Sequence, residues 1–560
     1  MAAVAIAPSD PFLVQEPTAG SRQATSNGPE DTTPPAARKT ELKSKWPATE
    51  DLYGSNLPCR LEGEVSDLVV LGEIPKEIDG TFFRVMVDPF VPPVEGNVPL
   101  DGDGNMSAFR FHDGKVDMKT RYVHTQRYML ERRAGKALFG LYRNPWSHHP
   151  CVRAAVDSTA NTNLVYWAGK LLALKESALP YHVDPQTMET IGYDPFGQVN
   201  AKSFTAHPKY DPITDELVVH GYEATGMASL DVVTYSIDRA GTIKNVFWCK
   251  QPFAEGRPGP IHDCAITKSW LILFIWPFEA DVDRMKRGGH HWAWNYDRPN
   301  TIMVIPRNAA SPPAGWSPGE VRHYTWTNSM AIHTAGAWED PSDPSKISVE
   351  SSLVHENAFP FFPPDNGRMP DPNAKAEFVR WSIDATQPAG TRMSDPTTVL
   401  DCPAEFPRID ERLLAQEYNW VFLNVFIPQN SLTGADNIYH GLNGLAMVHN
   451  KTGQTTWYYA GDESSIQEPI FIPRSEDAEE GDGWVMALIE RVRENRCDVV
   501  VIDTRNFSQE IAMVQLPMHM KAQVHGNWIS AKDLGGYQPL AKTIPDFEML
   551  KQGALEPLMN

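Results

Sequence analysis

Four of the seventeen histidines in this 560-residue chain stand where a metal site could be built from them. His207 lies in Ala206-His207-Pro208-Lys209-Tyr210-Asp211-Pro212, a turn directly before a strand-like run, and His262 in Ile261-His262-Asp263-Cys264 leads toward the apolar stretch from Leu271 to Phe278. His333 opens Thr334-Ala335-Gly336-Ala337-Trp338-Glu339-Asp340, and His525 sits in Val524-His525-Gly526-Asn527-Trp528. Separations of 55, 71 and 192 residues are far too long for a local zinc finger or an H-E-x-x-H helix, so a shared metal must be assembled by the global fold. An all-imidazole site with open positions suits iron, and equally zinc, cobalt or copper. The pairs His148-His149 and His290-His291 are poor ligand pairs, because neighbours on a strand point to opposite faces; they are expected on the surface or in loops. His355, in Val354-His355-Glu356-Asn357-Ala358-Phe359, competes with His333 for the third position.

The elements that must position these side chains are short β-type runs such as Leu164-Val165-Tyr166-Trp167, Leu217-Val218-Val219-His220 and Val499-Val500-Val501-Ile502, bounded by Gly, Pro, Asp and Asn. Amphipathic helical periodicity is rare. Many short strands over about 500 residues favour a β-propeller over two sandwiches, although no blade repeat is visible. A propeller axis also solves the assembly problem, since each inner strand can deliver one imidazole to the centre. Residues 1–45, rich in Pro, Ser, Thr and Ala, read as a disordered tail, and 46–560 as a single domain. Residues 360–400 read as a long connection on one face.

Composition removes several classes of function. The net charge is −21, with 50 basic residues scattered among 71 acidic ones, so nucleic acid is not an expected partner. The longest apolar run is far short of the ~20 residues of a membrane helix. Six widely spaced cysteines without a C-x-x-C pair fit a reducing cytosol, and the N-terminus has neither a signal-peptide core nor an acid-poor transit character. The cytoplasm is the expected location, and no protein partner is evident.

Together with Lys175-Glu176, Glu405-Phe406-Pro407-Arg408-Ile409 and Glu468-Pro469-Ile470-Phe471, the four histidine contexts resemble the carotenoid cleavage oxygenase family, and within it the fungal stilbene-cleaving members. The match runs in order from about Leu68 to Trp528. The resemblance implies a seven-bladed all-β propeller with a loop and short-helix cap over the metal face. It also implies iron(II) on His207, His262, His333 and His525, dioxygen as co-substrate, and Glu176, Glu405 and Glu468 behind the histidines; His207 is expected to lack such a carboxylate. His333 is preferred to His355 because its H-x-x-x-A-x-E-D frame fits the family, with Gly336 where an Asn is common. The Leu100-Asp101-Gly102-Asp103-Gly104-Asn105-Met106 segment resembles a family Phe-Asp-Gly-Asp-Gly-Met turn; no helix follows it, so phosphate cradling is a poor reading.

Stilbene-cleaving members carry a Tyr and a Lys where this chain has Tyr142 and Lys175. In an apolar tunnel these would hold a substrate's 4-hydroxyl and favour its phenolate, which a carotenoid could not use. The expected activity is therefore cleavage of the interphenyl double bond of a 4-hydroxystilbene, such as resveratrol or piceatannol, to two aromatic aldehydes. The alternatives are cleavage of a carotenoid or of a phenylpropene such as isoeugenol, and a metal-free propeller scaffold.

Overall fold

A computed structural model describes residues 44–47, 49, 52, 56–427, 442–461 and 463–541; the expected disordered tail lies outside the described residues except at its last two positions. Seven antiparallel sheets of four or more strands follow one another along the chain, as the propeller expectation required. The pleat sorts side chains within them. In Lys115–Tyr122 every second residue is buried, leaving Lys115, Asp117, Lys119 and Arg121 on the outer face. Trp270–Ile275 is buried throughout because it is covered on both faces. Leu271, Leu273 and Ile275 pack into one inter-sheet core, Trp270, Ile272 and Phe274 into the next.

The ring closes by an exchange of strands between its two ends. Gln523–Ser530, near the end of the chain, pairs with Gly80–Val87 in the first sheet. Val69–Gly72, near the beginning, pairs with Glu510–Gln515 in the last. Phe82, Phe109, Met486 and Val499 lie in the core between those two sheets. Gly526 makes the first pairing possible, since a Cβ there would stand 1.9 Å from the Phe83 carbonyl oxygen.

Among the described residues the α-helices are α1 (Gln126–Ala134) and α2 (Val282–Lys286). They join the 3-10 turns Pro145–Ser147 and Pro150–Val152 and the small Phe278–Ala280/Trp292–Trp294 hairpin in a cap. The long connection expected over 360–400 is interrupted: Ala376–Asp384 and Thr397–Leu400 are strands of the fifth sheet, and only 355–375 and 385–396 are irregular. The density of Pro, Asp and Asn in the two flanking loops masked the alternating Val379, Trp381 and Ile383 between them.

Candidate metal centre and substrate cavity

Each of the seven sheets contributes one residue to the axis. His207, His262 and His333 directly precede or closely approach the first strands of the third, fourth and fifth sheets, and His525 lies on the closing strand of the first. Glu176 follows Lys170–Leu174 in the second sheet, Glu405 lies in Ala404–Arg408 of the sixth, and Glu468 precedes Ile470–Pro473 in the seventh. Seven short strands, separated by up to hundreds of residues, thus bring four imidazoles and three carboxylates together.

The four imidazoles offer ligand atoms that all lie within 4.8 Å of one another. His262 Nε2 is 3.1 Å from Nε2 of both His207 and His333. Nitrogens about 2.1 Å from one ion and at right angles to each other stand about 3 Å apart, so the spacing accommodates a shared transition metal. His525 Nε2 is buried without a hydrogen-bond partner, an arrangement that costs free energy unless something occupies the centre. Burial holds the His207 imidazole well below its ordinary pKa, and pushes His525 down to about 3 despite the pull of Glu468. Both are therefore neutral, the form that binds metal.

Three histidines turn their other nitrogen to a carboxylate. His262 Nδ1 is 2.7 Å from Glu176, His333 Nδ1 is 2.6 Å from Glu405, and His525 Nδ1 is 3.0 Å from Glu468. An Nδ1–H donated to carboxylate fixes the tautomer and leaves the Nε2 lone pair facing the centre. Among the described residues His207 has no such partner. The pairing itself had no signature in the sequence. Burial opposes ionisation of each Glu, but the neighbouring imidazole and hydrogen bonds outweigh it and hold Glu176, Glu405 and Glu468 at about 2.

The carboxylates are held in turn. The Tyr222 hydroxyl donates to Glu176 at 2.7 Å and accepts from Arg143 at 2.8 Å, while Ser352 donates to Glu405 at 2.6 Å. Glu468 lies between two guanidinium groups, Arg84 at 3.2 Å and Arg408 at 3.5 Å. Arg84 was not singled out in the sequence, yet a charge inside Phe82-Phe83-Arg84-Val85-Met86 is the signal that could have found it, since a buried cation requires a partner.

The remaining histidines separate from the centre. His355 pairs with Glu377 at 2.7 Å on the fifth sheet, and it is His333 that stands in the imidazole cluster. At Gly336 a Cβ would stand 2.7 Å from the Tyr418 ring, so no asparagine fits there. All four members of the two pairs lie in loops, as expected, and His148 and His291 are buried there. His148 faces Asp157 at 3.1 Å, and His291 faces Glu223 at 3.2 Å, itself ion-paired to Arg143.

Two cavities reach the histidines. On one side of the ring a polar one of about 400 Å³ passes Lys209, Asp263, Arg408 and Asn527. Its charges are spent on one another, Lys209 on Asp263 and Arg408 on Glu411 and Glu468. Under the cap lies an apolar cavity walled by Leu100, Trp276, Phe278, Trp292, Phe359 and Phe362, with His262, His333 and His525 in its lining. Tyr142 and Lys175 face this second cavity. Lys175 Nζ is 5.1 Å from the Tyr142 ring centroid. Burial pushes the Lys175 ammonium down to about 8 and, with Glu176 nearby, raises the Tyr142 phenol.

Known proteins supply the comparison. The profile of the retinal pigment epithelial membrane protein family matches residues 56–530. The resveratrol cleavage oxygenase 1 of Botryotinia fuckeliana (strain B05.10) is 61% identical over 538 residues, 96% of this chain and 95% of that protein. The protein of the same name from Aspergillus fumigatus is 39% identical over 509 residues, 89% of this chain and 98% of the other. In three dimensions, the crystal structure of Pseudomonas brassicacearum lignostilbene dioxygenase superimposes with a TM-score of 0.81 at 36% identity, covering 87% of this chain and all of that one.

Proposed function

Because the chain belongs to the retinal pigment epithelial membrane protein family, that of the carotenoid cleavage oxygenases, we propose that it is an iron(II) dioxygenase cleaving the interphenyl double bond of 4-hydroxystilbenes to two aromatic aldehydes. As a member of that family it is an alkene-cleaving enzyme, which sets aside the scaffold reading. The observation that carries the substrate assignment is the cavity under the cap, apolar along its walls, with Lys175, Tyr142 and three of the four histidines in its lining.

His207, His262, His333 and His525 would hold the metal through Nε2, and the ferrous ion, when bound, supplies activation of dioxygen. The chain's own residues do the rest. Trp276, Phe278, Phe359 and Phe362 exclude water and pack against the flat stilbene. The Lys175 ammonium and Tyr142 hydroxyl take the 4-hydroxyl oxygen and stabilise its ionised form, which raises electron density on the conjugated alkene. Glu176 adjoins Lys175 in sequence and holds His262, so one strand end positions both the phenol anchor and a metal ligand. Each alkene carbon ends bonded to one oxygen atom, giving two carbonyl products. Piceatannol, whose corresponding ring also carries a 4-hydroxyl, would be accepted. We place the protein in the cytosol on its six unpaired cysteines. No helix of the described residues is long and apolar enough to cross a membrane.

The test is anaerobic loading with iron(II), then addition of resveratrol in air, with metal content and both aldehydes quantified. Stoichiometric iron and two aldehydes in equal amounts are expected, and Lys175→Met is expected to keep its iron while losing most turnover of 4-hydroxystilbenes. Full turnover in that variant overturns the phenolate step. Products from isoeugenol or a carotenoid in place of resveratrol would reassign the substrate.

A further inference from the structure

Lys175 is a buried cation that pairs with neither of the two carboxylates acting on it, Asp101 and Glu176. Both are taken by other groups. Asp101 receives both terminal nitrogens of Arg127, at 2.8 and 2.9 Å, and the Asn97 amide at 2.7 Å. Glu176 receives Tyr222 and His262. The ammonium instead donates to two neutral acceptors, the Leu100 carbonyl at 3.3 Å and Asn161 Oδ1 at 3.1 Å. An ammonium has three N–H groups. Two are met by the protein and one remains, with no carboxylate in hydrogen-bond contact with the charge.

Asn161 is fixed in the orientation this requires. Its Nδ2 donates to the Leu100 and Gly102 carbonyls at 3.0 and 2.7 Å, and carbonyls can only accept, so Oδ1 must face Lys175. The approach depends on the second glycine of the Asp-Gly-Asp-Gly turn: a Cβ on Gly104 would stand 2.3 Å from the Ala160 carbonyl oxygen. Through Asn97, whose Oδ1 accepts from the Tyr142 backbone at 3.0 Å, the same turn is tied to the other half of the phenol site. Without Asn161 a four-carbon lysine stem is free to swing toward a carboxylate, where its charge would be neutralised before any ligand arrived.

We propose that Asn161 is a specificity-determining positioning residue: by bridging the Leu100–Gly102 turn to Lys175 it keeps the ammonium on neutral acceptors, so that its charge and its third N–H are reserved for a phenolic oxygen. The inference rests on the phenol-binding role of Lys175 given above and identifies what makes that lysine selective.

The experiment measures dissociation constants of 4-hydroxystilbene and 4-methoxystilbene on the anaerobic iron-loaded protein, by quenching of tryptophan fluorescence. Wild type, Asn161→Ala, Asn161→Ser and Lys175→Met are compared, with iron content and melting temperature read for each. The serine variant keeps a polar group beside the turn but is too short to reach Nζ, so it serves if the alanine variant fails to fold. In the asparagine variants the preference for the hydroxyl over the methoxy compound is expected to fall at least about fivefold, with 4-methoxystilbene affinity unchanged within about twofold. An unchanged preference, or equal loss for both ligands, overturns the role of Asn161 provided that Lys175→Met abolishes the preference. A Lys175→Met variant that keeps the preference instead overturns the phenol reading itself, and Asn161 falls with it.

Discussion

Lys175 and Glu176 are neighbours in sequence with opposite electrostatic fates. Glu176, hydrogen-bonded by Tyr222 and paired with His262, is held ionised, whereas Lys175, resting on neutral acceptors, is pushed down to about 8 by burial. The sign of the pH dependence follows. The ammonium is present below about 8 and is lost as pH rises through that value, so kcat/KM for a 4-hydroxystilbene is expected to fall on the alkaline side. In Lys175→Arg, which stays charged, that decline should move well above pH 8, and a profile identical to wild type would assign the decline to another group. At this scale the sequence was legible where a residue type is rare in its surroundings. A histidine in a strand-opening turn, or a glutamate in apolar text such as Glu405 or Glu468, stood out, whereas Lys175 was legible only through the family resemblance. Asn161, in Ala160-Asn161-Thr162-Asn163, did not, because asparagines in turns are common and its amide acts on atoms 59 and 61 residues away.

Among the elements, the closing strand Gln523–Ser530 carries both a candidate metal ligand and the seam of the ring. His525 and Gly526 are adjacent on it, and the Gly526 backbone N–H donates to Glu468 at 3.1 Å. Gly526→Ala would force a Cβ against the Phe83 carbonyl, a backbone atom that cannot rotate aside. A cost of ~3 kcal/mol is expected from such overpacking. The melting temperature should drop, and iron occupancy with it, because the strand that must shift is the one bearing His525. A normal melting temperature with full iron would refute this placement of the seam. Strand text was legible from alternation and turn residues, and the sheets could be anticipated as many and short. The strands of 376–384 and 397–400 were not, since loops dense in proline and aspartate flank them. Neither was the exchange of edge strands, because register between segments more than 400 residues apart leaves no local pattern.

For the whole molecule, the four histidines come from four different sheets, so an ion bound to them would tie the first sheet directly to the third, fourth and fifth. Ligand binding to the folded state alone raises stability by about 2.7 kcal/mol at a free concentration 100 times Kd. Chelation of the metal is therefore expected to lower the melting temperature, and the difference between loaded and stripped protein should shrink in His207→Ala. Equal melting temperatures for loaded and stripped wild type would mean that the ion does not span the sheets. Of the whole, the fold class was legible because the motifs occur in order along nearly the entire folded chain, and the four histidines that the fold gathers are those the motifs pointed to. The assignment of each carboxylate to its histidine was not, being a property of how the blade ends meet in the closed ring: His333 and His525 take theirs from neighbouring sheets and His262 from two sheets away.

The late position of Gln523–Ser530 also sets an order of events during synthesis. Gly80–Val87, its partner, leaves the ribosome about 440 residues earlier and must wait with one edge unpaired while six further sheets are made. Until the last strand arrives, the nascent chain has three of its four histidines and an open ring. The fourth candidate ligand is thus withheld from every unclosed copy, because the strand that delivers it is the one that shuts the ring.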